Sequence, residues 1–216
     1  MTITYADLPK PIRSGIVVVD PVTGRPTVAI VMQFNPDSLQ RTLVPQAATD
    51  GQQGDRLEAL RLVGPAKEDW KIEVEIDATD QPQIDAPDGI MPQLALLEML
   101  VQPSSAAIRL NQALADVGTI EITPVETPLT LFTWGASRVM PVRITEFSVT
   151  EQLFDVDLNP VRATLNLTLH VLTTSDLPTH HRGAELYLAH LAQKEALARK
   201  VPQGVQLGVL GIGGIG

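Results

Sequence analysis

Trp70-Lys-Ile-Glu-Val-Glu-Ile-Asp77 and Val161-Arg-Ala-Thr-Leu-Asn-Leu-Thr-Leu-His-Val171 alternate apolar and polar residues without a break. In the first stretch Trp70, Ile72, Val74 and Ile76 share one side, and Lys71, Glu73, Glu75 and Asp77 share the other. In the second, Val161, Ala163, Leu165, Leu167, Leu169 and Val171 oppose Arg162, Thr164, Asn166, Thr168 and His170. A side-chain period of 2 is that of a β-strand, and an apolar row beside a polar row makes a strand with one dry and one wet face.

Working outward, Leu129–Trp134 and Val139–Thr150 are two more strand candidates, and Asp155-Val-Asp-Leu-Asn-Pro160 supplies a turn that folds the last two long strands into a hairpin. Near the start, the β-branched runs Ile16–Val19 and Pro26–Phe34 flank Asp20-Pro-Val-Thr-Gly24, where Pro presets φ and Gly accepts φ > 0, so a second hairpin is expected. Gln40–Asp55 is polar, contains Gly51 and Gly54, and reads as a loop. Two segments carry helical spacing. Pro92–Val101 has Pro at its start and Leu94, Leu97, Leu100 and Val101 three or four apart; Gly183–Lys200 is rich in helix formers with cations at its end. The expected fold is mainly β (α+β): an antiparallel barrel or sandwich with one inserted helix and a C-terminal helix. The expected organisation is an arm at 1–14, a β domain at 15–178, the helix at 179–203, and an apolar, glycine-rich tail at 204–216.

Composition narrows the function. Of 216 residues, 44% are hydrophobic and 19% charged, which excludes a disordered chain, while only 4% are aromatic, so Val, Ile and Leu must fill the core. A net charge of −9 opposes a grip on nucleic acid or on an anionic membrane surface. The absence of cysteine removes disulfides, thiolate catalysis and Cys-type zinc. The first residues have neither a basic nor an apolar leader segment, so the expectation is a chain made and assembled in the cytoplasm without a signal peptide. Val205–Gly216 has about half the length that spans a bilayer.

The motifs that could carry chemistry lack their context. Gly211-Ile-Gly213-Gly214-Ile-Gly216 spells a dinucleotide fingerprint, but no helix and no downstream acid follow it. Asp155, Asp157 and Asn159 open a calcium-loop pattern, yet Pro160 stands where Gly is required and Asn166 where a bidentate Glu is required. His170, His180, His181 and His190 fit no metalloprotease spacing, and no serine sits in a nucleophile elbow. Glu73, Glu75 and Asp77 read as the solvated face of a strand. No catalytic residue, cofactor or metal is expected, and the protein is expected not to be an enzyme.

Four phrases, in order, resemble the tube-type proteins of phage-tail-like contractile injection systems. They are Met32-Gln-Phe34-Asn35-Pro36-Asp-Ser-Leu39, Ile72-Glu-Val-Glu-Ile76-Asp-Ala-Thr-Asp80, Leu129-Thr-Leu-Phe-Thr-Trp134-Gly135 with Val139-Met-Pro141-Val-Arg-Ile144, and Phe154-Asp-Val-Asp-Leu-Asn159-Pro160-Val-Arg-Ala-Thr-Leu165. The resemblance covers about residues 15 to 175. It implies a structural, non-enzymatic role in a particle that is phage-like or an injection machine, virion-associated or released. The nearest kin it suggests is the baseplate ring, a homo-hexamer that adapts a spike or hub protein to the inner-tube protein among other baseplate subunits. Members of that kind often carry a C-terminal peptidoglycan-binding LysM module, which has no counterpart in the 16 residues after Lys200, so cell-wall binding is not transferred. The alternatives are a bulk inner-tube subunit and, in another class, a monomeric β-sandwich ligand-binding module. In the ring reading each subunit's sheet joins its neighbours', so the wet rows Glu73, Glu75 and Asp77, or Arg162, Thr164, Asn166 and Thr168, line the lumen or its flank. Phe34, Asn35, Pro36 and Trp134 are interface candidates, as are Val205, Leu207 and Leu210 in the tail, which is too apolar to prefer water and too glycine-rich for a stable helix.

Overall fold

The structure is a computed structural model and describes residues 14–20, 23–32, 39–47, 61–78, 88–116, 118, 127–135 and 137–201. Its elements, in chain order, are β1 (Ser14–Val19), β2 (Pro26–Met32), β3 (Gln40–Ala47), β4 (Leu62–Asp77), α1 (Met91–Met99), α2 (Ser105–Asp116), β5 (Leu129–Trp134), β6 (Val139–Phe154), β7 (Pro160–Val171) and α3 (Arg182–Ala198). The fold is mainly antiparallel β with helices, as the alternation predicts. All seven strands form one sheet in the order β2-β1-β5-β6-β7-β4-β3, each pair antiparallel. With an odd number of strands alternating in direction, the outer strands β2 and β3 run the same way.

The sheet is curled. Trp70 on β4 and Phe132 on β5 meet edge to face with ring centroids 5.8 Å apart, although β6 and β7 lie between their strands. Three strand spacings would separate them by about 14 Å in a flat sheet. The curl brings both ends of the apolar face together, and Ile16, Ile30, Met32, Trp70, Val74, Phe132, Met140, Leu165 and Leu169 join one core. A bulge between Ile144 and Glu146 shifts the register of β6 against β7, which keeps Phe147 and Val149 on the same side as Ile144.

Helix α1 closes part of this face with Ile90, Leu94, Leu97 and Leu100, all buried. Gly89 makes that approach possible. Its φ is +59°, and a Cβ there would lie 2.3 Å from the carbonyl oxygen of Pro160, which also accepts the Ile90 N–H at 2.9 Å. The turn at residues 20–24 forms the expected hairpin: Gly24 has φ +68°, and its N–H bonds the Asp20 carbonyl at 2.8 Å.

Two local expectations change. Residues 40–47 form a strand, β3, rather than the start of a loop; Thr42, Leu43 and Val44 pair with Asp69, Glu68 and Lys67. Its polar sequence suits an outer strand, and Pro45, which cannot donate to a ladder, sits where the register shifts between Val44 and Gln46. The rest of that predicted loop, 48–55, lies outside the described residues. Among the described residues two helices, α1 and α2, are inserted between β4 and β5 where one is expected. Ser104 begins α2, its Oγ accepting the Ala107 N–H at 3.2 Å. No residue of α2 is buried, so it lacks the core-facing stripe by which α1 was legible.

Candidate assembly surfaces

The β4–β7 register places Lys71 opposite Thr168, Glu73 opposite Asn166, Glu75 opposite Thr164 and Asp77 opposite Arg162. Across β7, Asn166 faces Ser148 and Thr164 faces Thr150 on β6, and Thr168 donates to Glu146 at 2.7 Å. Both wet rows read from the sequence therefore share one face, on the side away from Trp70 and Leu169. This face is hydroxyl- and charge-bearing and has no aromatic ring among the residues just named.

One of its acids is not solvated. The Asp77 side chain is only 5% exposed and takes the Arg162 guanidinium at 2.6 and 2.8 Å, while Glu75, half exposed, takes it at 2.9 Å. Arg162 thus ties β4 to β7 through a pair 85 residues apart in sequence. A strand alternation alone predicts neither the burial of Asp77 nor its partner.

A second surface is the turn joining β6 to β7. The Asp155 carboxylate accepts the N–H groups of Asp157 (2.9 Å) and Asn159 (2.8 Å) and the Asn159 side-chain amide (3.0 Å). These bonds, led by the Asn159 backbone N–H, hold its carboxyl below the ordinary Asp value. This is the turn the sequence predicts. Around it Leu153, Phe154, Val156 and Leu158 are exposed, Val156 by 98%. Leu153 and Leu158 hold φ of +53° and +66°, where a non-glycine residue costs roughly 1–3 kcal/mol.

The third surface is where α3 docks. Glu68 is buried on β4; it accepts the Trp70 indole N–H at 2.8 Å, pairs with Lys194 of α3 at 2.5 Å, and lies 3.7 Å from Arg41 of β3. Arg41 also covers the Trp70 ring at 5.5 Å. Tyr187 and Leu191 of α3 pack on the core, and Leu186 reaches a smaller cluster of Val19, Leu129 and Leu131. His190 is buried in the same contact, and neither ring nitrogen has a hydrogen-bond partner among the described residues. Burial above all, with Lys194, Arg41 and Arg138 adding to it against Glu68, pushes its pKa below the ordinary value. His181 caps α3, its Nδ1 accepting the Gly183 N–H at 3.1 Å.

Of the interface candidates, Trp134 is half buried and lies 6.0 Å from Phe132, ring to ring, at the end of β5 opposite Ser14. Phe34, Asn35, Pro36, Val205, Leu207 and Leu210 lie outside the described residues. Among the described residues no cluster of three or more His, Cys, Asp or Glu could hold a metal ion, and no helix is long and apolar enough to cross a membrane.

The profile of one family, contractile injection system tube protein, matches residues 18–178, and the chain belongs to that family. It is a structural tube-type component that assembles with other parts of such a system. No individual curated protein matches it significantly. The matched span runs from β1 through β7 and ends before α3, which begins at Arg182.

Proposed function

We propose that this chain forms a hexameric ring in the baseplate of a contractile injection particle, joining the spike or hub to the inner tube. The observation that carries the ring is the sheet itself: it is open among the described residues and ends in two different strands, β2 and β3, so each copy can offer β2 to the next copy's β3 in a parallel seam and close a circle that leaves no exposed edge. The wet face of Glu73, Glu75, Thr164 and Asn166 then lines the conduit, and the apolar face stays covered by α1 and α3. What supports the adaptor position is α3, an element added after the family-matched residues and anchored through Glu68. The tail and its Val205, Leu207 and Leu210 are proposed to bind the next protein in the particle, which assembles in the bacterial cytoplasm.

The repeated inner-tube subunit is the second reading, favoured by the description of the matched family as a tube protein. Quantitative mass spectrometry of sedimented sheathed particles separates the two. The adaptor reading expects a small fixed number of copies per particle, about one ring. A copy number equal to the sheath subunit makes the chain the tube itself, and absence from particles refutes both.

A further inference from the structure

The two ends of the strands carry complementary surfaces. At one end, the β6–β7 turn presents Leu153, Phe154, Val156 and Leu158 to solvent on an ordered, hydrogen-bonded loop. Residues 151–160 include Glu151, Asp155 and Asp157 and no cation, so this apolar tip is acidic. At the other end, α3 finishes with Leu197 and Val201, 54% and 64% exposed, next to Arg199 and Lys200. Arg199 lies 3.9 Å from Glu195 and Lys200 adds a second cation, so that apolar patch carries a net positive charge. Lys194 fastens this part of α3 to Glu68, one residue beyond Asp69, which pairs with His170. From His170 to Pro160, at the base of the tip, β7 runs for ten residues, about 33 Å.

We infer that the acidic, apolar β6–β7 tip of one copy seats on the basic, apolar end of α3 of a second copy. The occupant is argued from charge and placement. Each surface has apolar side chains without cover, their charges are opposite, and about 33 Å of strand keeps a copy from joining its own two ends. The contact is heterologous, so it closes into a ring if its rotation permits and otherwise runs on. It rests on the ring reading only for its biological setting. It also lies partly outside the family-matched residues.

The chain has no cysteine, and Val156 and Val201 are exposed enough to be replaced without disturbing the core. In an equimolar mixture of full-length V156C and V201C, mild oxidation is expected to give a mixed disulfide dimer, and the double variant a ladder of higher species. D157K is expected to slow the mixed product about threefold at low salt, and adding K200D to the partner to restore it. A ladder that stops at six, or one that continues, supports the contact and tells a ring from a stack. No mixed dimer, or V156C self-dimers forming as fast, overturns it. Native mass of the unoxidised protein reports separately on ring formation. Hexamers without the 156–201 bond remove this contact and leave the ring reading, and the bond without hexamers does the reverse.

Discussion

Replacing Arg162 with Met tests whether the wet face is held by charge or only by its backbone ladder. The substitution keeps length and apolar stem while removing the guanidinium that meets Asp77 at 2.6 Å and Glu75 at 2.9 Å. Removing one partner of a fully buried ion pair costs about 3–5 kcal/mol, because the other charge stays desolvated. Asp77 is buried, but the Arg162 side chain is 40% exposed, so solvent screens part of that cost and about 2 kcal/mol is expected. For a chain of this size that lowers Tm by about 4–8 °C. Glu75 is about half exposed, so E75Q should cost less than about 0.5 kcal/mol. Removing both charges together in D77L/R162L leaves no desolvated carboxylate behind and should return most of the stability, to within about 1 kcal/mol of the parent. Thermal and urea unfolding followed by circular dichroism, at a concentration where the chain is monomeric, reads all three. An R162M midpoint within about 1 °C of the parent, or a double variant worse than R162M alone, refutes the reasoning.

Further outcomes follow from other sites. H190L should stabilise the fold by about 1 kcal/mol, since it removes a buried polar ring without partners among the described residues. It should also flatten the acid side of the stability curve: His190 titrates below its ordinary 6.5 when folded, so the unfolded chain takes up protons first and stability falls as pH drops below about 6.5. Equal slopes of stability against pH between 6.5 and 5 in parent and variant would contradict this. G89A should cost about 3 kcal/mol in urea unfolding, combining a left-handed φ with a Cβ placed 2.3 Å from the Pro160 carbonyl. D155A should abolish hydrogen-exchange protection of the Asp157 and Asn159 amides at neutral pH. In the parent that protection persists above pH 3.8 and is lost as pH falls through the lowered pKa of Asp155.

Most of the fold could be read from side-chain period alone. Trp70–Asp77 and Val161–Val171 declare themselves because one face of each meets the core, and Leu129–Trp134 because its first four residues are all buried. β3 and α2 stayed hidden for the opposite reason. Neither buries an apolar face: β3 is an outer strand interrupted by Pro45, and α2 has no buried residue, though Ser104 ahead of a run of good helix formers is a start signal. The candidate surfaces were less legible because they depend on register. That Glu75 and Arg162 share a face follows from β4–β7 pairing, which no local pattern fixes, and the burial of Asp77 depends on a partner 85 residues away. The turn at 155–160 was visible in Asp, Asn and Pro, but its exposed Leu153, Phe154, Val156 and Leu158 read as ordinary strand-end residues until the packing was known. Likewise Glu68 reads as another wet residue near a strand, and only the fold puts it under Lys194 and Trp70.

That the described sheet ends in two different strands has a consequence for the order in which a particle is put together. In a circle closed by one repeated β2–β3 seam every copy points the same way; a subunit turned upside down would set β2 against β2 and β3 against β3 and lose that seam on both sides. Its two rims are then unlike, because every copy presents one end of its strands to one rim and the other end to the opposite rim. Such an object has a top and a bottom fixed by the subunit. Whatever joins it must arrive on the correct side, so the direction of growth is set before any second protein binds.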